Sequence, residues 1–236
     1  MIFDMTKRKS GGGGGYTAGD FLDLSKPTGA IVSTLNQNTQ YAVGPIRPMS
    51  DSSGITSVSL PNTKWLPSNF AKSCTNLTQV DCPSLVGLNS NAFYGSGLVN
   101  VVFPSLNGFS VYSFQNCRNL ETVDVGRNVT ATFLYIYGDS FKGCSKLGIF
   151  VLRATNCYSL TNISAFADTP FANGGTGGTL YVPNDLISSY QSATNWSEIL
   201  GYSNNQIKSI ESTHTDPNAP IDLTLYYVDG TPIPTE

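Results

Sequence analysis

Histidine occurs once, as His214, and charged residues make up only 12% of the 236-residue chain, against about a quarter in ordinary soluble domains. One imidazole excludes a Cys/His zinc cluster, a multi-histidine metal site and a histidine-activated nucleophile within the body of the chain. No resident cofactor and no catalytic residue is expected. The net charge of -3 supplies no basic field for nucleic-acid phosphates or anionic lipid, so nucleic acid is not an expected partner. No stretch approaches the roughly 18 to 20 apolar residues that a membrane span needs. The opening, MIFDMTKRKSGGGGG, follows its basic residues with glycines where an export signal would carry an apolar run. Localisation by a non-Sec route, on a virion or bacterial surface, or else in the cytoplasm, is the expectation. The five cysteines are odd in number and contain no CxxC pair, which argues for buried thiols over a disulfide framework. The glycines offer no phosphate cradle: Gly11 to Gly15 lack the Lys-Ser/Thr ending of a P-loop.

What the chain has instead is neutral polarity. Ser (27), Thr (23) and Asn (20) together supply close to three residues in ten, while a hydrophobic content of 40% and aromatic content of 11% suffice to bury a core. That core is written as a repeat. Ile55-x-x-Val58-x-Leu60, Leu77-x-x-Val80-x-Cys82, Leu98-x-x-Val101-x-Phe103, Leu120-x-x-Val123-x-Val125 and Leu147-x-x-Phe150-x-Leu152 start 22, 21, 22 and 27 residues apart. A second column, Phe70, Phe93, Phe114 and Phe141, keeps the same register, and three of its members precede Cys74, Cys117 and Cys144. The period falls in the 20 to 29 residue range of leucine-rich repeats. Each unit then contributes a short strand with its first, fourth and sixth residues inward and a loop or single helical turn whose Phe closes the core from the opposite wall. Units of this size bury their apolar face only by stacking, which pairs the strands in parallel. The expected fold is a repeat solenoid with a parallel β-sheet on one face and short helical turns or loops on the other.

The Phe-to-Cys segments followed by Leu-x-x-Val, as at Phe70 to Val80 and Phe141 to Leu147, resemble the BspA-like leucine-rich repeats. Thr179 to Trp196, with its Val-Pro, a Tyr-bearing helix and Asn195-Trp196, is similar to the closing unit of such arrays. The resemblance covers residues 51–211 and implies a right-handed leucine-rich-repeat stack ending in a capping strand and helix. Around it, 1–20 reads as a flexible basic, glycine-rich arm, 21–50 as an N-terminal capping segment, and 212–236 as a tail or small strand element. The closing segment also reads directly: Leu180 and Val182 form a strand, and Asn184 caps a helix from Asp185 to about Ala193 that buries Leu186, Ile187 and Tyr190.

Two surfaces stand out. The outward strand positions give Ser57 and Ser59, Gln79 and Asp81, Asn100 and Val102, Thr122 and Asp124, a neutral polar face suited to hydrogen bonding with glycan or peptide backbone. Such residues also serve simply to keep strands and turns soluble. Asp81 and Asp124, two units apart and so roughly 10 Å from one another, approach the separation of an inverting glycosidase pair, although two solvated carboxylates are the plainer expectation. The second surface is the insertion at residues 127–137, a bulge carrying Phe133, Tyr135 and Tyr137.

The resemblance implies a non-enzymatic recognition or adhesion module that binds a glycan or protein on a cell surface, since BspA-like proteins are known mainly as bacterial adhesins. The alternative is a phage virion protein, of tail fibre, baseplate or head, that presents this module and joins other virion proteins through residues 1–20; the basic, glycine-run start is similar to that of phage structural proteins of gut bacteria.

Overall fold

The computed structural model describes residues 50–210 apart from 52, 61, 62 and 130. The arm at 1–20, the tail at 212–236, His214 and all but the last residue of the segment 21–50 lie outside the described residues.

Each repeat lays down one strand on a main wall and, a few residues later, a two-residue strand on a side wall. The main wall holds β1 (Ser57–Ser59), β3 (Gln79–Asp81), β5 (Asn100–Phe103), β7 (Thr122–Val125), β9 (Ile149–Leu152), β11 (Thr179–Val182) and β12 (Gln206–Ser209). The side wall holds β2 (Trp65–Leu66), β4 (Gly87–Leu88), β6 (Gly108–Phe109), β8 (Tyr135–Ile136) and β10 (Ser159–Leu160). All pairings are parallel. β1 pairs with β3, and β5, β7, β9, β11 and β12 follow in that order as one five-stranded sheet. On the side wall β2 pairs with β4, and β8 pairs with β6 on one side and β10 on the other. The Asn107 amide donates to the Val86 carbonyl at 2.9 Å, which sets β4 beside β6.

The repeat triplets point inward as expected: Ile55, Val58 and Leu60 through Leu147, Phe150 and Leu152 are all buried. Parallel register stacks like on like, with Val80 beside Val58 and Val123 beside Val101, and each full burial is worth about 1.5–3 kcal/mol. Opposite them runs an aromatic spine. Phe93, Phe114, Phe141 and Phe166 stack at centroid separations of 5.1, 5.5 and 5.7 Å with ring planes 24°, 10° and 18° apart. Phe70 stands one residue early. In the turn ladder Phe93 donates to Ser113, Phe114 to Ser140 and Phe141 to Ala165, and the corresponding donor in the first unit is Ala71, to Ala92. Phe70 accordingly meets Phe93 edge-on, at 5.9 Å and 85°, so its column is shifted rather than continuous.

The turns explain part of the asparagine. Five residues before the Cys74, Ser96, Cys117 and Cys144 positions the backbone enters the left-handed region at Asn69, Asn91, Tyr112 and Asp139, and it does so again immediately before the column at Ser73, Asn116 and Asp168, all with φ of 57° to 61°. Gly95 and Gly143 take the latter place in the other units. Asn, Asp and Ser tolerate that conformation through local side-chain hydrogen bonds, and Gly has no Cβ to clash. The cysteine column itself is Cys74, Ser96, Cys117, Cys144 and Thr169, all buried. Cys117 and Cys144 donate to the Phe93 and Phe114 carbonyls at 3.0 Å, and Ser96 Oγ lies 3.3 Å from Cys117 Sγ. The unit lacking Cys thus keeps the polar atom. Its Gly97 is required by close approach, because a Cβ there would stand 2.1 Å from the Thr75 carbonyl oxygen.

The opposite wall is mostly hydrogen-bonded turns. Among the described residues helix appears as a 3-10 turn at Ile163–Phe166 and in the closing unit, where Asn184–Leu186 is 3-10 and leads into α1 (Ile187–Ser192) and α2 (Trp196–Gly201). Asn184 is therefore inside a helical turn, not its cap; Pro183 occupies the cap and makes no side-chain bond. Tyr190 is fully buried as expected, with Leu186 and Ile187 partly buried against the core. The cap is keyed to the array through Tyr158. Trp196 Nε1 donates to its carbonyl at 2.6 Å, its amide donates to Tyr190 Oη at 2.9 Å, and its own hydroxyl donates to the Leu106 carbonyl at 2.7 Å. Asn195 Nδ2 reaches the Leu160 carbonyl at 2.7 Å. These bonds satisfy the polar ends of three large aromatics that burial would otherwise leave unpaired.

Candidate binding faces

The outward positions of the main wall divide into an open and a closed half. Gln79 and Asn100 are exposed, and Ser57, Ser59, Asp81, Val102 and Thr122 are half-buried. Ser59 Oγ donates to Asp81 Oδ2 at 3.0 Å, so neighbouring strands brace one another's polar groups. Asp124 departs from the sequence expectation. It is 2% exposed, and the Arg153 guanidinium grips it through Nε at 2.9 and 3.1 Å and Nη2 at 3.0 Å. Burial pushes its carboxyl up to about 6, against the downward pull of Arg153 and Arg127. The two carboxylates therefore do not form the solvated pair read from strand alternation. One is hydrogen-bonded by a hydroxyl and the other is clamped in a buried ion pair. Beyond Asp124 the face is apolar and closed: Val151 and Tyr181 are buried, with Ile149 and Ile210 packed against them.

The insertion at 127–137 does two things. It supplies β8 to the side wall, and it leaves Phe133 85% exposed on the approach to that strand. Tyr135 is half-buried and Tyr137 is 42% exposed, and their rings lie 4.8 Å apart at 49°. Burial and the neighbouring Tyr137 raise the Tyr135 phenol above its ordinary value. Sequence reading missed Trp65 as their partner on this wall. Its signal was positional: Trp65, Gly87, Gly108 and Tyr135 each stand six residues before the inward Ala71, Phe93, Phe114 and Phe141.

The Cys82, Cys144 and Cys157 thiols are packing groups. Burial raises Cys82 and Cys144 far above the ordinary range and Cys157 to about 11, which leaves little thiolate to act as nucleophile or ligand. Among the described residues no group of three or more His, Cys, Asp or Glu is placed to hold a metal ion, and no helix is long and apolar enough to cross a membrane.

The BspA type leucine rich repeat region matches residues 50–173, in 6 copies, just over half of the chain. Among solved structures the chain is similar to a leucine-rich repeat protein from Bacteroides ovatus, at 16% identity and a TM-score of 0.29 over 68% of this chain. It spans 55% of that protein's length. No curated protein matches it. With its period, its inward triplets and its stacked parallel walls, the chain belongs to the BspA-type leucine-rich repeat family.

Proposed function

We propose that the open half of the main wall is a recognition surface, through which this module adheres to a protein or glycan on a cell surface. The observation that carries the reading is the set of outward side chains from Ser57 to Thr122, polar except for Val102 and fixed on parallel strands, where the same wall closes over Asp124, Val151 and Tyr181. Hydroxyls and amides desolvate at less cost than ions, and a rigid sheet loses little conformational entropy on binding. The exposed amides Gln79 and Asn100 are the side chains that a partner would meet first.

The test is direct binding of the full chain to host-cell surfaces, to immobilised matrix proteins and to a glycan array. Gln79→Arg with Asn100→Arg should weaken the interaction at least tenfold while the thermal midpoint stays within a few degrees of wild type. Unchanged binding by that double variant would remove the main wall from the reading.

A further inference from the structure

We propose that the side wall carries a separate stacking site for a neutral glycan, built from Trp65 and Tyr135 over a glycine floor. The floor is visible in what an added Cβ would meet. At Gly87 it would stand 2.1 Å from Trp65 Cζ3 and 2.6 Å from Cε3 and Cη2, so the six-membered ring of the indole lies directly on the glycine Cα. At Gly108 it would stand 2.8 and 2.9 Å from Tyr135 Cδ2 and Cε2. Trp65 pairs across with Gly87 and Tyr135 with Gly108, and β4 lies beside β6. The two rings therefore lean toward each other from β2 and β8 over adjacent glycine strands. Trp65 keeps one face on backbone and is 38% exposed, and Tyr135 is half-buried with the Tyr137 ring 4.8 Å from it. No side chain rises between them, because the two intervening positions are both glycine.

This geometry suits a chain of sugar rings. The floor positions are one strand spacing apart, about 4.8 Å, so two linked pyranoses reach from one ring to the other. Rings already held against backbone lose little rotamer freedom when a ligand stacks on them. The second outward row, two residues further along each strand, is Pro67, Asn89, Ser110, Tyr137 and Thr161, with Asn89, Tyr137 and Thr161 exposed. It offers an amide and several hydroxyls beside the aromatic faces.

Charge selects the class of ligand. The ten positions of the two rows, from Trp65 to Ser159 and from Pro67 to Thr161, hold no Asp, Glu, Lys or Arg, whereas the main wall carries Asp81, Asp124 and Lys208 at outward positions. Nucleic acid stacks on aromatics too, but it needs a basic groove to track its phosphates. An acidic polysaccharide would find no cation in either row. A neutral glycan needs neither.

The experiment is titration of the full chain with neutral hexasaccharides of β-1,4-glucan, β-1,4-mannan, α-1,4-glucan and β-1,4-galactan, with heparin hexasaccharide and a thymidine decanucleotide alongside. Trp196 is fully buried, so the solvent-sensitive tryptophan emission reports Trp65, and calorimetry gives the affinity. At least one neutral glycan should bind and shift that emission. Trp65→Ala and Tyr135→Ala should each weaken it tenfold or more, Trp65→Phe should restore most of the loss, and Gln79→Ala on the main wall should leave it unchanged. Three outcomes would overturn the proposal: no neutral glycan binds, heparin or the decanucleotide binds tighter, or binding survives both alanine variants. So would a dimer that Trp65→Ala dissociates, since the rings would then belong to an interface between copies of the chain. Because Gln79→Ala reads the other wall, failure here leaves the main-wall reading standing, and the reverse.

Discussion

The two walls of the solenoid answer to the same core and differ entirely outside it. On both, inward residues are large and apolar, since each must fill the space between the strand triplets and the phenylalanine spine. Outward, the main wall has three- and four-residue strands whose side chains interact across repeats, as Ser59 does with Asp81, and whose far half is closed over a buried ion pair and Tyr181. The side wall has two-residue strands, and its outward row is two glycines flanked by two rings. A repeat fixes the inside of a solenoid and leaves the outside free to vary unit by unit. Outward residues therefore set what each wall can bind, independently of the other.

The comparison breaks first where the walls share a core. Phe114 touches Phe93, Phe103, Phe109 and Phe141, so Phe114→Ala should cost about 3–5 kcal/mol, read from urea unfolding. A loss below 1 kcal/mol would mean that the spine does not join the walls. Next comes the feature specific to the main wall. Arg153→Ala leaves Asp124 buried without its counter-ion and should cost about 3–5 kcal/mol at neutral pH.

The pH dependence of that pair carries a definite sign. The Asp124 carboxyl is raised from 3.8 to about 6 by burial, so between those values the native state holds a proton that the unfolded chain has lost. Its contribution to stability falls as pH rises through that window. Thermal midpoints of wild type relative to Asp124→Asn should decline from pH 4 to pH 7; a relative rise would show the Arg153 clamp outweighing burial.

A smaller effect sharpens the contrast in the turns that link one wall to the other. Tyr112 takes the left-handed place that Asn69, Asn91 and Asp139 take elsewhere, at φ 60° with 40% exposure, a conformation that costs a bulky residue about 1–2 kcal/mol. Tyr112→Asn should stabilise by about 1 kcal/mol, seen as a higher thermal midpoint, and no gain would mean that the phenol ring earns its place by packing. Smallest of all, Lys146 and Glu121 sit 3.9 Å apart with both side chains more than half exposed, and Lys146→Ala should change stability by less than about 0.5 kcal/mol.

Much of the fold was legible because inward positions obey a fixed spacing. Leu, Val and Phe recur where a strand of period two and a unit of 21 to 27 residues bring them back to the core. The side strands were not legible: two residues carry no period, and β2 looks like any turn until β4 pairs with it. Asp124 was assigned to the correct side of its strand and to the wrong environment, because alternation gives a direction and says nothing of Arg153, 29 residues downstream. Ser96 and Thr169 were not recognised as members of the cysteine column, since the shared property is a buried small polar atom and not a residue type. Tyr135 and Tyr137 were singled out for their insertion, yet Trp65 belongs with them and lies three repeats away.

The repeat, the inward residues of the main strands and the closing unit follow from the chain alone, because burial of apolar surface demands those residue types at those intervals. The fate of the outward residues depends on contacts between repeats: Asp124 clamped, Val151 and Tyr181 covered, Trp65 and Tyr135 laid over glycine. The physical reason is that an outward side chain takes its environment from neighbouring repeats, 20 to 30 residues away in the chain and one strand away in space.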